Sequence, residues 1–149
     1  MRLNLKTPNW REQAEKEITI EKAKEIALAD EDGEIVKEKK DYDDGIIYYE
    51  IDIIRDNTKY EFEIDSNGNI VSKEQDTYEN SENTNTDYIS QEEAKNSIIN
   101  HAGGGNIVKI ELDYENGRAV YEMELIKDNI EYDAMIDANT GEIIAYYQD

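Results

Sequence analysis

The sequence lacks cysteine altogether and has one proline, one tryptophan and one histidine among its 149 residues. Without cysteine there is no disulfide framework, no thiolate metal ligand and no thiol nucleophile. Many secreted proteins of Gram-positive bacteria avoid the residue, and its absence is in keeping with that setting. A single histidine, His101, leaves no His-Glu-x-x-His zinc motif, and neither a Gly-x-Ser-x-Gly elbow nor a phosphate-binding glycine loop occurs. The sequence contains no signal peptide and no apolar run of membrane length.

Basic residues are also scarce. Sixteen Lys and Arg stand against 37 Asp and Glu, a net charge of −21. Residues 18–76 hold 18 acids and 8 bases, and residues 88–149 hold 13 acids and 4 bases. The imbalance is therefore a property of both halves and not of a tail. Such a field repels nucleic acid and anionic lipid, and it tolerates a basic partner or divalent cations. Its simplest use is solubility and repulsion between copies. Alternating apolar runs give the chain a core to bury, which argues against disorder.

What is present is one pattern written twice. Val120 to Ile144 shows apolar residues at every second position, broken at Asp128-Asn129 and ended at Asn139-Thr140-Gly141. Tyr48 to Val71 repeats this, with turns at Asp56-Asn57 and Asn67-Gly68. Period-two alternation between turn residues predicts an antiparallel meander with one buried face. A helix precedes each meander. Thr19 is placed to cap the first, whose apolar stripe is Ile20, Ala23, Ile26 and Ala27; Ser90 and Glu93 form a capping box on the second. Ile18 and Ile89 sit where a hydrophobic staple begins, and Gly33 and Gly103-Gly104-Gly105 follow the helices.

The first strand of each unit follows, at residues 34–41 and 106–113. Val108, Ile110, Leu112 and Tyr114 alternate as an inner face, whereas their counterparts Val36, Glu38, Lys40 and Tyr42 do not. Lys37-Glu38-Lys39-Lys40-Asp41 therefore reads as a solvated, charge-protected edge strand. Hairpin turns are expected at Tyr42–Gly45 and Tyr114–Gly117. The inward residues of the next strands are Ile47, Tyr49, Ile51 and Ile53, then Tyr60, Phe62 and Ile64. In the second unit they are Ala119, Tyr121, Met123 and Leu125, then Tyr132, Ala134 and Ile136.

The expected fold is α+β: two repeated units, each one N-terminal helix packed on a three- to four-stranded antiparallel meander sheet. Residues 1–17 form an N-terminal extension, 18–76 the first unit, 77–87 a linker rich in Asn, Thr and Glu, and 88–149 the second unit. Thr7-Pro8 is suited to start a helix in the extension, with Trp10 and Ala14 on one face and Trp10 as a lid on the first unit. A unit of this size buries only about 60% of its unfolded surface, so packing between the units is expected.

The order Ile-[Ser/Thr]-x-x-x-Ala, then Tyr-x-[Ile/Met]-x-[Ile/Leu], then Tyr-x-[Phe/Ala]-x-Ile-Asp with a later Gly-x-Ile resembles the PepSY family, the peptidase propeptide and YpeB-type domain. The carrying residues are Ile18, Thr19, Ala23, Tyr49, Ile51, Ile53, Tyr60, Phe62, Ile64, Asp65, Gly68 and Ile70. In the second copy they are Ile89, Ser90, Ala94, Tyr121, Met123, Leu125, Tyr132, Ala134, Ile136, Asp137, Gly141 and Ile143. Ala134 stands where a bulkier aromatic is usual. The resemblance implies a non-enzymatic bacterial module, secreted or at the cell surface. Relatives form part of metallopeptidase propeptides that inhibit and help fold their enzyme, and others occur in lipoproteins. The export signal and any membrane tether are expected upstream of Met1. The chain stops at Asp149, so inhibition is expected to act in trans. The alternative is a structural or accessory envelope lipoprotein with no peptidase partner.

The residues themselves offer no catalytic, cofactor or metal set. His101 reads as a surface histidine at a helix end. Asp65-Ser-Asn-Gly-Asn69 and Asp30-Glu-Asp-Gly-Glu34 are oxygen-rich but lack the calcium-loop spacing, and read as turns. The expected partner is a protein, with a secreted peptidase as the candidate; no nucleic acid and no small-molecule substrate is implied. Most of the eleven tyrosines are in phase with the core. Tyr48, Tyr146 and Tyr147 are not all accommodated there, and an outward aromatic on an acidic sheet suits a basic, apolar-flanked partner.

Overall fold

The computed structural model describes residues 17–77 and 87–149; the Thr7-Pro8 helix start, Trp10, Ala14 and all but the ends of the linker lie outside the described residues. The first unit runs α1 (Ile20–Asp30), β1 (Glu34–Asp43), β2 (Ile46–Arg55), β3 (Thr58–Asp65) and β4 (Ile70–Thr77). The second runs α2 (Gln91–Ala102), β5 (Asn106–Glu115), β6 (Arg118–Lys127), β7 (Ile130–Asp137) and β8 (Ile143–Gln148). Each unit is thus a helix and a four-stranded meander.

Local chemistry sets the boundaries. The Thr19 hydroxyl accepts from the Lys22 amide at 3.2 Å. Ser90 and Glu93 close the reciprocal capping box at 3.0 and 3.1 Å, which leaves fewer orphan amides at the helix start. Gly103, at φ 83°, turns α2 off and returns its N–H to Ile99 and Asn100. The Asp44-Gly45 and Asn116-Gly117 pairs both hold positive φ, as tight hairpins with right-handed strand twist require.

All strands pair antiparallel in one eight-stranded sheet, in the order β4-β3-β2-β1-β5-β6-β7-β8. The expectation of an edge strand at Lys37–Asp41 is therefore wrong. β1 is central, and it pairs with β5 through Lys37–Glu111, Glu38–Ile110 and Lys39–Lys109. Glu38 and Ile110 are equivalent positions of the two units and stand opposite one another, so the sheet has an approximate two-fold through that pair. Joining the two first strands removes two sheet edges at once.

Glu38 spoiled the inner face on paper because its partners are distant in sequence. Its carboxylate is 2% exposed, with Lys24 of α1 at 3.1 Å and Lys95 of α2 at 3.0 Å. Lys24 and Lys95 are themselves equivalent positions. One buried anion is thus held between one lysine from each helix, at the seam of the two units. The Gln91 side-chain amide donates to the Ile35 carbonyl at 2.8 Å and adds a second tie.

Both helices lie on the same face. Ala23 and Ala27 pack on Tyr49, Ile51, Ile53, Tyr60, Phe62 and Ile64. Ala94 and Ile98 pack on Ile110, Leu112, Ala119, Tyr121, Met123, Leu125, Ala134 and Ile136. Val36 belongs to this second cluster although it lies in the first unit, so the cores are knitted across the seam. A bulge between Ile35 and Lys37 is matched by one between Ile107 and Lys109. It brings Ile107 opposite Leu125 and leaves Val108 out of the inward alternation expected for it.

The recurring Ile, Tyr and Asp positions have structural work. The Tyr49 hydroxyl donates to the Ile18 carbonyl at 2.9 Å, and Tyr121 donates to Ile89 at 2.8 Å. The amides of Ile18 and Ile89 donate to Ser66 and Ala138 at 2.9 and 2.8 Å. Each helix entry is therefore clasped to its own meander. Asp65 accepts from the amides of Asn67 and Asn69, and Asp137 from those of Asn139 and Thr140. These Asx turns fix the β3–β4 and β7–β8 connections.

Candidate functional site

With the helices on one face, strand alternation sends every other residue to the opposite one. Among the described residues no helix covers that face. It bears two equivalent grooves. The first, about 220 Å³, is lined by Lys37, Glu50, Asp52, Glu61, Ser72 and Glu74. The second, about 360 Å³, is lined by Lys109, Glu122, Glu124, Asp133, Met135 and Tyr147, with Ala145 beside them.

The grooves differ in how their acids are neutralised. In the first, Lys37 lies 3.2 Å from Glu50, and Lys59 lies 3.2 Å from Glu61 and 3.9 Å from Asp52. β3 pairs Lys59 with Ile54, and in the same register β7 pairs Glu131 with Ile126. The second unit therefore carries a carboxylate where the first carries an ammonium. Oxygens of Glu124, Glu131 and Asp133 come within 4.8 Å of one another, as do those of Asp113, Glu115 and Glu122. Lys109 lies 3.6 Å from Glu111 and 4.0 Å from Glu124.

The proton affinities follow. Burial, then the neighbouring Asp113 and Glu115, push Glu122 up to about 7. Burial pushes Asp52 up to about 6, with Lys37 and Lys59 only partly opposing it. Burial and then Glu124 and Asp149 raise Glu131; burial and then Asp149 raise Asp133. A carboxyl that holds its proton more tightly when folded stabilises the fold on acidification and loses that contribution as pH rises through its folded value. The window runs from 4.5 to about 7 for Glu122 and from 3.8 to about 6 for Asp52. Asp65 and Asp137 are shifted the other way, Asp137 by Arg118 at 2.7 Å, so their contribution fails only below the ordinary carboxylate range. The melting temperature should therefore rise as pH is lowered from about 8 to about 5.5. Glu122→Gln combined with Asp52→Asn should flatten that slope. A melting temperature that instead climbs toward pH 8 would contradict these assignments.

The residues singled out in the sequence fall as follows. His101 is exposed near the end of α2 with its ring edge-on to Tyr146, centroids 4.8 Å apart. The Asp65–Asn69 segment is closed on itself by the Asp65 carboxylate. In the Asp30–Glu34 turn, Asp30 and Glu31 pair with Lys73 at 2.7 and 2.9 Å, and Glu31 with Arg55 at 2.7 Å. Tyr146 lies on the helix face, stacked on Tyr132 at 5.3 Å. Tyr147, 56% exposed, faces the second groove. The two carboxylate triads were missed; the exchange of Lys59 for Glu131 between the repeats was the signal in the sequence that pointed to one of them.

The sheet also ends unevenly. β4 carries Lys73, Glu74 and Asp76, whereas β8, Ile143–Gln148, carries no charged side chain. Up to Asp149, whose amide continues the ladder to Glu131 at 2.9 Å, the edge beside the larger groove thus lacks the charges that usually discourage strand addition.

Comparison with known proteins adds the following. The PepSY family, described as the peptidase propeptide and YPEB domain, matches residues 17–74 and again 88–147. The fold is similar to that of a protein from Clostridium difficile 630 provisionally classed as a lipoprotein, with 21% identity and a TM-score of 0.52 over 85% of this chain and 90% of that one. The YpeB C-terminal domain of Bacillus megaterium aligns with 14% identity and a TM-score of 0.41, over 89% of this chain and 66% of that one. No curated protein sequence matches the chain.

Proposed function

This chain belongs to the PepSY family, and from that premise we propose that it is a non-enzymatic binding module that restrains or chaperones a separate peptidase at the bacterial envelope. The observation that carries the reading is the double match to a peptidase-propeptide family on one continuous sheet. Among the described residues that sheet offers a face that no helix covers and an edge strand, β8, without a charged side chain. An extended segment of the peptidase would add to β8 by main-chain hydrogen bonds, with its side chains reaching the adjacent groove. An envelope location accords with the lipoprotein classification of the Clostridium protein of similar fold. It also accords with the cysteine-free composition.

Titration of the purified chain against secreted metallopeptidases should slow peptide hydrolysis in a saturable manner. A proline placed in the edge strand at Gln148, whose amide faces away from β7 because the next one, Asp149, donates to Glu131, should weaken the effect, because it removes a donor that an added strand would use. Hydrolysis rates unchanged at high micromolar concentrations of the chain would remove the peptidase reading and leave an accessory envelope protein.

A further inference from the structure

We propose that the second groove is a receptor for a basic side chain, lysine or arginine, carried on an extended segment of a partner protein. The placement of three groups argues for it. Glu124, Glu131 and Asp133 converge with oxygens within 4.8 Å of one another. The groove beside them is about 360 Å³ and is lined by Met135, Ala145 and Tyr147, an apolar floor and rim suited to an aliphatic stem. Finally, the first unit serves as an internal comparison. At the equivalent position the Lys59 ammonium sits 3.2 Å from Glu61 and 3.9 Å from Asp52. Glu61 and Asp52 are the counterparts of Asp133 and Glu124 in the same strand register. One repeat thus carries its own cation in the cradle, and the other replaces that cation with a third carboxylate.

The charge arithmetic favours an external cation. Exchanging Lys59 for Glu131 changes the charge at that position by two units; Lys39 of β1 opposes the rise in Glu131 proton affinity from beyond ion-pair distance, and among the described residues no base forms an ion pair with Glu131 or Asp133. Lys109 pairs with Glu124 at 4.0 Å and only partly opposes the raised proton affinity of Asp133. Like charges crowded in this way repel, and burial together with Glu124, Asp149 and Asp133 holds the Glu131 proton more tightly than usual. An incoming ammonium or guanidinium relieves the repulsion and restores the arrangement the first unit already has. Tyr147, half exposed at the rim, can cover the cation or its stem. The uncharged β8 edge next to the groove would hold the backbone of the same segment.

The inference rests on the reading of this chain as a protein-binding module but not on the partner being a peptidase. The test uses the full chain, isotopically labelled, titrated with the peptide Ac-Val-Arg-Val-Arg-Val-amide and with its citrulline counterpart, which keeps shape and loses charge. The arginine peptide should shift the amides of Glu124, Glu131, Asp133 and Tyr147, and the citrulline peptide should not. Glu131→Lys should weaken binding about tenfold or more, Glu131→Gln less, and raised salt should weaken the wild type. Glu25→Lys, an equal charge change on the exposed side of α1, should leave binding unchanged. Binding that is equal in wild type and Glu131→Lys, shifts that map elsewhere, or occupancy by calcium ion alone would overturn the inference. If the arginine peptide binds here and no peptidase is inhibited, the peptidase reading fails alone. If a peptidase is inhibited equally by wild type and Glu131→Lys, this inference fails alone.

Discussion

Replacing Lys24 and Lys95 together by methionine is expected to destabilise the protein by about 3–5 kcal/mol, because it strands a buried carboxylate without a cation. Glu38 is 2% exposed and lies between the two lysines, which are themselves 15% and 14% exposed. Water cannot readily replace them. The position is also structurally sensitive, since β1 and β5 share only three register pairs and Glu38 stands in the middle one. Denaturant melts at neutral pH measure the loss, and a fall in melting temperature of about 10 °C should accompany it. The triple variant that also changes Glu38→Leu should recover most of it. Its equivalent in the second unit is already Ile110, and buried ion triads are often replaceable by apolar groups of similar size. A double variant within about 1 kcal/mol of wild type would show that the triad does not hold the seam.

The second large effect is expected in the first core. Phe62→Ala should cost about 3–5 kcal/mol, the usual range for emptying a buried phenylalanine site. Phe62 is 2% exposed and packs beneath α1 with Tyr60 and Ile64. The second unit tolerates Ala134 at the same place because β8 puts Tyr146 directly opposite it, stacked on Tyr132 and touched by His101. In the first unit the residue opposite Phe62 is Lys73, whose ammonium lies 5.7 Å from the Phe62 ring centroid. The aromatic volume has moved one strand over between the repeats. Adding Lys73→Tyr to Phe62→Ala should therefore return part of the lost stability, whereas Lys73→Ala should not. A Phe62→Ala variant that melts with wild type would refute this account of the packing.

These two sites also mark how far the primary structure can be read. Ala134 departs from the family pattern when strand β7 is taken alone. The departure is resolved only by the cross-strand neighbour, which the period-two pattern places on the same face but does not register. Glu38 failed in the opposite sense. A charged residue in a strand is most simply sent to water, and Lys37–Asp41 accordingly looked like an edge. Its two cations come from helices fourteen residues earlier and fifty-seven residues later, and no local rule joins three such positions.

From the order of residues alone follow the two helix-plus-meander units, their caps and turns, and the inward side chains from Tyr49 to Ile64 and from Tyr121 to Ile136. Each of these depends on contacts within a few residues or on the alternation of a strand. Only the tertiary structure decided that the meanders fuse into one sheet through their most polar strand, and that Glu124, Glu131 and Asp133 share a cradle filled by Lys59 in the other half. The reason is physical. Pairing between distant strands is chosen by the edges that must be covered and the charges that must be partnered, and those are properties of the assembled surface rather than of any segment.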